Sequence, residues 1–200
     1  MRPTGPKLKV MQDPFFFGYG SLVNRATHDY PSPYHASVKG WRRAWQGTRL
    51  RKVAYLTVVP AHGEEIDGLI AAVPGHDWAA LDKREGAYQR HPVSEHVEHG
   101  APHEVDVQLY AVHHEHATPR EEGHPILLSY LDVVVQGYLQ EFGEKGAIRF
   151  FDTTDGWDMK VLDDRAAPIY PRHQRLRPEE TAFVNDQIDK RRIEITRERG

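Results

Sequence analysis

The stretch Phe15-Phe16-Phe17-Gly18-Tyr19-Gly20-Ser21-Leu22-Val23-Asn24 decides how the rest of the chain is read. Three consecutive aromatics predict a fully buried strand, and the Gly-Tyr-Gly-Ser that follows breaks it into a tight loop. A strand that stops in a glycine loop makes an anion cradle. Gly18 and Gly20 let the main chain approach a ligand closely, and the successive N–H groups of Gly20, Ser21 and Leu22 are suited to a carboxylate or a developing oxyanion. The same loop also serves simply to end a core strand, so its meaning depends on what stands downstream.

Two hundred residues with 10% aromatics favour one packed domain. The chain contains no cysteine, which excludes disulfides, thiolate nucleophiles and cysteine-ligated metals and fits a reducing, cytoplasmic setting. A formal charge of −3 gives no general attraction to nucleic acid or to an anionic membrane. Residues 1–14, with Pro3, Pro6 and Pro14, read as a flexible lead without a signal-peptide core; 15–170 is the expected domain, and 171–200 a charged helical extension. That extension carries eight Lys or Arg against six acids and reads as a solvated helix.

Strands rich in β-branched and aromatic residues are expected at Ala36–Gly47, Lys52–Val59 and Ile66–Val73, with a hairpin turn at Gly63 between the last two. Asp77 caps a predicted helix on which Trp78, Leu81 and Glu85 share one face, with Lys83 and Arg84 pointing elsewhere and Gly86 ending it. Two further strands are expected near Tyr88–His96 and Val105–Val112. The strongest helix runs from Pro125 to about Phe142, mostly apolar but for a stripe of Ser129, Asp132, Gln136 and Gln140, and is expected to be largely buried. Many strands followed by a buried helix predict an α+β fold, a curled, mostly antiparallel sheet flanked by helices.

Glu85 is the leading candidate for chemistry. A carboxyl among Trp78, Leu81 and a nearby sheet is poorly solvated, which raises its pKa and suits it to accept a proton near neutrality; a structural ion pair with Arg84 or Arg90 is the competing reading. Tyr19, Tyr88 and Tyr130 are secondary candidates that each offer a hydroxyl. Ser21 lacks a nucleophile elbow, so its amide matters more than its hydroxyl. His113, His114, Glu115 and His116 lie together but lack helical metal-ligand spacing, and no metal is expected.

The ordered set of YGSL (19–22, after Gly18), GWRRAW (40–45), LDKREGAYQR (81–90) and PILLSYLDVVVQGYL (125–139) resembles the γ-glutamylcyclotransferase-like superfamily, with its ChaC-like and AIG2-like branches. The likeness spans roughly residues 15–140. Its sharpest marks are the YGSL loop and the Glu of Arg84-Glu85-Gly86, which leans toward the ChaC-like branch; Tyr130 resembles a site tyrosine there. The resemblance implies a small mixed barrel with its site at one mouth, and a reaction in which the α-amine of a γ-glutamyl group attacks its own γ-carbonyl to give 5-oxoproline and a released amine. It further implies Glu85 as the base, the loop Gly18, Tyr19, Gly20, Ser21 and Leu22 with Tyr88 and Tyr130 as the substrate site, a small γ-glutamyl substrate as partner with neither nucleic acid nor membrane, and no cofactor. Two other readings stay open: a non-catalytic binding module on the same fold, in which Glu85 is exposed or neutralised by a salt bridge, and a histidine-based metal hydrolase. The segment from Arg149 to Arg172 and the tail helix extend past the resemblance and are candidates to cover or reshape the leaving-group pocket.

Overall fold

The structure, a computed structural model, describes residues 12–119 and 122–197. Most of the expected lead, residues 1–11, lies outside the described residues, as do the last three residues of the expected extension.

The framework is a long hairpin. Strand β2 (Tyr34–Thr48) runs antiparallel to β3 (Arg51–Ala72), and the turn joining them is the pair 49–50. The hairpin expected at Gly63 is therefore corrected: β3 is continuous, and both of its halves pair with β2 rather than with each other. The glycine has φ of +80° because the ladder jumps there, from Lys39 opposite Glu65 to Trp41 opposite Pro60. Strand β1 (Phe15–Gly18) lies between β3, antiparallel with Phe17 opposite Ile70, and β6 (Val107–Val112), parallel with Phe17 opposite Leu109. A central strand covered on both faces needs apolar side chains at every position. Phe15 and Phe17 enter the main core, whereas Phe16 enters a smaller cluster with Leu22, Val73, Leu81 and Tyr110.

The expected strand Tyr88–His96 is shorter: β4 (Tyr88–Pro92) pairs with β6, a 3₁₀ turn covers Ser94–His96, and β5 (Val97–His99) pairs with β2. The sheet order is β4-β6-β1-β3-β2-β5, with β8 (Thr154–Asp155) also on β2. The sheet curls strongly. His91 on β4 and Trp41 on β2 are separated by three strands in this order, yet their rings lie 5.8 Å apart. Near the other end of β4 the Tyr88 hydroxyl donates to the Leu56 carbonyl of β3 at 2.8 Å. The fold is thus α+β, a mostly antiparallel sheet curled into a half-barrel and flanked by helices.

Among the described residues, three helices surround it. Helix α1 (Trp78–Arg84) starts at Asp77, whose side chain accepts from Ala79 N at 3.2 Å. Helix α2 (Leu128–Asp152) starts three residues later than expected, because 126–127 form β7 (Ile126–Leu127), and continues past Gly143, where φ is +66°. Three of its four polar-stripe residues form a seam: Ser129, Asp132 and Gln136 are buried, and the C-terminal segment supplies Asp164, Arg165 and Glu180 to bond them, while Gln140 is exposed. Helix α3 (Pro178–Lys190) buries Glu180, Val184, Gln187 and Ile188, so the expected solvated helix packs one side inward. Strands β7, β9 (Val161–Leu162) and β10 (Ile195–Thr196) form a second, parallel sheet.

Candidate active site

The loop after β1 is built to hold its shape. Val23 N donates to Gly20 O at 3.0 Å and Asn24 N to Ser21 O at 3.1 Å, winding Ser21–Val23 into one 3₁₀ turn. The amides of Gly20, Ser21 and Leu22 precede the first of these bonds, so the turn leaves them for other acceptors. Asn24 anchors the turn to α2 through Val133 O and Gln136 Oε1, both at 2.9 Å, and Gly137 admits it, since a Cβ there would stand 2.7 Å from Asn24 N.

Behind the loop lies Arg43, only 1% exposed. Its guanidinium donates to Tyr19 O at 3.3 Å, Thr153 Oγ1 at 2.7 Å, the Tyr138 hydroxyl at 2.5 Å and Asp67 O, and it stacks 5.0 Å above the Tyr138 ring. These partners are neutral oxygens, and the cation is satisfied by their number and by the ring face. Arg43 fixes the Tyr19 carbonyl and hence the far side of the loop. Its place in Trp41-Arg42-Arg43-Ala44-Trp45, on an inward position of β2, is the one sequence signal that points to it.

All eight residues singled out from the sequence meet at one cavity of about 310 Å³: Gly18, Tyr19, Gly20, Ser21, Leu22, Glu85, Tyr88 and Tyr130 line it together with Phe17, Leu56 and Tyr110. Glu85 is not within α1 but caps it, with φ −98° and ψ 34° and its N–H on Leu81 O at 2.8 Å. Leaving the helical path turns its side chain inward, where it is 16% exposed. Burial pushes the carboxyl above the usual range, and Arg84 and Arg172 pull it back only in part. It is the only carboxylate among the described residues that line the cavity.

Arg84, expected to point away, does the opposite. Its Nε lies 3.2 Å from Glu85 Oε1, and its Nη atoms reach Thr27 O at 3.0 Å and Ser21 Oγ at 3.3 Å. One guanidinium therefore touches both the acid and the loop. Arg90, the other expected partner, pairs instead with Asp82 at 3.0 Å and stacks on Trp78. A single guanidinium contact does not exhaust a carboxylate that has about four acceptor positions.

The tyrosines divide by polarity. Tyr19 donates its hydroxyl proton to Tyr110 O at 2.6 Å and Tyr88 donates its own to Leu56 O at 2.8 Å, since carbonyls only accept. Each is left with lone pairs. Tyr130 is the reverse: its hydroxyl accepts the Ser21 main-chain N–H, keeping its own proton to give. The expected amide cradle is thus reached through Tyr130, whose oxygen would stand 2.7 Å from a Cβ at Gly20. Burial raises all three phenols, so they stay neutral. Tyr110, missed in the sequence, lines the same cavity and donates to Asp82 at 2.5 Å.

His114–His116 form a 3₁₀ turn rather than a strand end, and ligand atoms of His113, His114 and Glu115 come within 4.8 Å of one another. None of these residues lines the cavity. No helix among the described residues is long and apolar enough to cross a membrane.

The family model described as γ-glutamyl cyclotransferase, AIG2-like, matches residues 16–131. Among solved structures, a γ-glutamyl cyclotransferase superposes with a TM-score of 0.55 at 14% identity, over 88% of this chain and 99% of that one. YkqA from Bacillus subtilis gives 0.52 at 22% identity over 72% of this chain and 56% of its own, and an uncharacterized protein from Homo sapiens 0.53 at 13% over 87% and 99%. At such identities the likeness speaks to the fold alone. No curated protein matches by sequence. The matched span of the family model begins in β1, contains the glycine loop, Glu85 and Tyr130, and ends inside α2: the chain belongs to the AIG2-like γ-glutamyl cyclotransferase family.

Proposed function

We propose that this chain converts a γ-glutamyl compound to 5-oxoproline and the amine it carried, with Glu85 moving the protons. The observation that carries the proposal is the meeting of Glu85 and the 18–22 loop at one cavity, with the Arg84 guanidinium in contact with both. The substrate's α-ammonium, with a pKa of roughly 8, must lose a proton before its nitrogen is nucleophilic. Glu85 takes that proton. The nitrogen then bonds to the γ-carbonyl carbon, whose oxygen gathers the negative charge of the tetrahedral intermediate. As that charge returns to the carbonyl, the bond to the leaving nitrogen breaks and Glu85 gives its proton to the departing amine; the second proton of the ring nitrogen then passes by way of Glu85 to the released amine, which departs as an ammonium.

Each neighbour has a place in this scheme. The lone pairs of Tyr19 and Tyr88 suit an ammonium, and the free proton of Tyr130 suits a carboxylate or the oxyanion. Holding the amine against its own carbonyl gains from orientation, for which effective molarities reach on the order of 10⁵ M. No step in the scheme requires a metal or an organic cofactor.

The Arg84 contact also meets one expectation of a non-catalytic module, a carboxylate neutralised by a salt bridge. Incubating the protein with glutathione, γ-glutamyl amino acids and γ-glutamylamines, with 5-oxoproline read by mass spectrometry, separates the two. Product from wild type that is lost in a folded Glu85→Gln variant supports the cyclotransferase. Binding of γ-glutamyl compounds without product supports the module.

A further inference from the structure

A γ-glutamyl compound has two parts, the glutamyl group that cyclises and the amine that leaves, and a second cavity adjoins the one already described. It is a partly open space of about 400 Å³, the solvent at its mouth included. Leu56, Tyr88 and Tyr130 line both, so the two cavities adjoin at these three residues.

Its lining differs sharply from that of the first. Four tyrosines surround it, in two edge-to-face pairs: Tyr55 with Tyr88, centroids 6.1 Å apart, and Tyr130 with Tyr170, 4.9 Å apart. Leu127 adds an aliphatic wall. Arg51 is the only charged residue among the described lining, and it has no ion-pair partner among the described residues. Aromatic faces alone would accept either an apolar group or a cation. An unpaired guanidinium at the same cavity repels the cation and attracts a carboxylate.

Tyr170 comes from the C-terminal segment, beyond the residues that match the family, and it is fixed in place. Asp164 accepts from Ser129 N at 2.7 Å, Ser129 Oγ at 2.5 Å and Ile169 N at 2.8 Å, while Tyr170 N donates to Ser129 Oγ at 3.3 Å. This part of the wall lies beyond the span that the family model matches.

We infer that this second cavity receives the leaving group, and that the preferred substrates are γ-glutamyl derivatives of apolar, above all aromatic, α-amino acids, with Arg51 reading the carboxylate of the departing residue. This inference rests on the cyclotransferase reading above. It sets aside glutathione, whose leaving dipeptide carries no large apolar side chain, and isopeptide-linked lysine, whose leaving group brings a second cation.

The test is a kcat/KM series for 5-oxoproline release from γ-glutamylphenylalanine, γ-glutamylalanine, glutathione, γ-glutamyl-ε-lysine and γ-glutamylphenethylamine, with wild type and Arg51→Gln. The phenylalanine compound should exceed the alanine compound by about tenfold or more. Arg51→Gln should cost about fivefold on the phenylalanine compound, as for an exposed charge pair, and nothing on the phenethylamine compound, which lacks the carboxylate. Tyr170→Ala should narrow the gap between phenylalanine and alanine. The inference is overturned if alanine, glutathione or isopeptide lysine is the best substrate, or if Arg51→Gln affects both aromatic compounds equally. If no compound yields 5-oxoproline, the reaction itself is refuted. Calorimetric binding of the phenylalanine and alanine compounds to Glu85→Gln then decides the cavity's preference: about tenfold is expected, and equal affinity overturns it.

Discussion

Replacing Glu85 with Gln keeps the shape of the side chain and removes its capacity to carry a proton. At pH 7 roughly a tenth of an α-amine with pKa near 8 is already neutral. If Glu85 did no more than deprotonate the nucleophile, the variant would lose only about tenfold and recover at pH 9. The scheme also asks Glu85 to protonate the departing amine, and positioned acid–base groups contribute about 10²–10⁴-fold. A fall in kcat/KM of about 10³, near 4 kcal/mol, with no rescue at high pH, is therefore expected. The fold should hold, because burial makes the ionised carboxyl a cost to the folded state at neutral pH that the neutral amide does not carry, and Arg84 keeps its bonds to Thr27 and Ser21. The wild-type acid limb adds a check. Burial raises the carboxyl from 4.5, so activity should fall with acid at a pH above that value, and this limb should vanish in the variant. The raised value also means that Glu85 favours the folded state below 4.5 and that this contribution fades as pH rises through its folded pKa. Steady-state kinetics from pH 4 to 10, with circular dichroism melts, would measure all of this. A variant within about tenfold of wild type, or one restored at pH 9, refutes Glu85 as the proton carrier.

Tyr130→Phe strands the Ser21 N–H and removes the one phenol with a proton to spare; kcat should fall roughly 10- to 100-fold, with about 1–3 kcal/mol of stability lost in urea titration. Arg43→Met leaves Tyr19 O, Asp67 O, Thr153 Oγ1 and the Tyr138 hydroxyl without their shared donor, and denaturant unfolding should show a loss of about 3–5 kcal/mol. Asp164→Asn cannot accept from Ser129 and Ile169 with both of its terminal atoms; limited proteolysis should cut faster within 163–172, while the melt of the sheet moves little.

Local chemistry made much of this molecule legible. Phe15–Phe17 could only be a strand covered on both faces, the Asp77 cap marked the start of α1, and the apolar run of α2 required burial. The eight candidate residues could be singled out because their chemistry is carried by type and by motif. What escaped was decided by partners distant in sequence. Gly63 has the positive φ of a turn glycine, yet both flanks belong to one strand because β2 offers edge enough for both. Helical spacing points Arg84 outward, but the helix ends there, and the change of path at Glu85 brings the carboxyl to the cavity with the Arg84 guanidinium against it. Tyr170 lies 40 residues beyond Tyr130, and the ring contact between them depends on how the chain returns along α2. The stripe of Ser129, Asp132 and Gln136 was visible, whereas its use as the seam for Asp164, Arg165 and Glu180 was not, since those partners follow the helix.

The central claim is that the γ-carbonyl is attacked by the substrate's own amine and not by water. Turnover of γ-glutamylalanine in ¹⁸O-enriched water measures this directly, with mass spectrometry of the glutamyl product. The account predicts unlabelled 5-oxoproline in equal amount to the released alanine. Glutamate bearing the heavy isotope at its γ-carboxyl would contradict it.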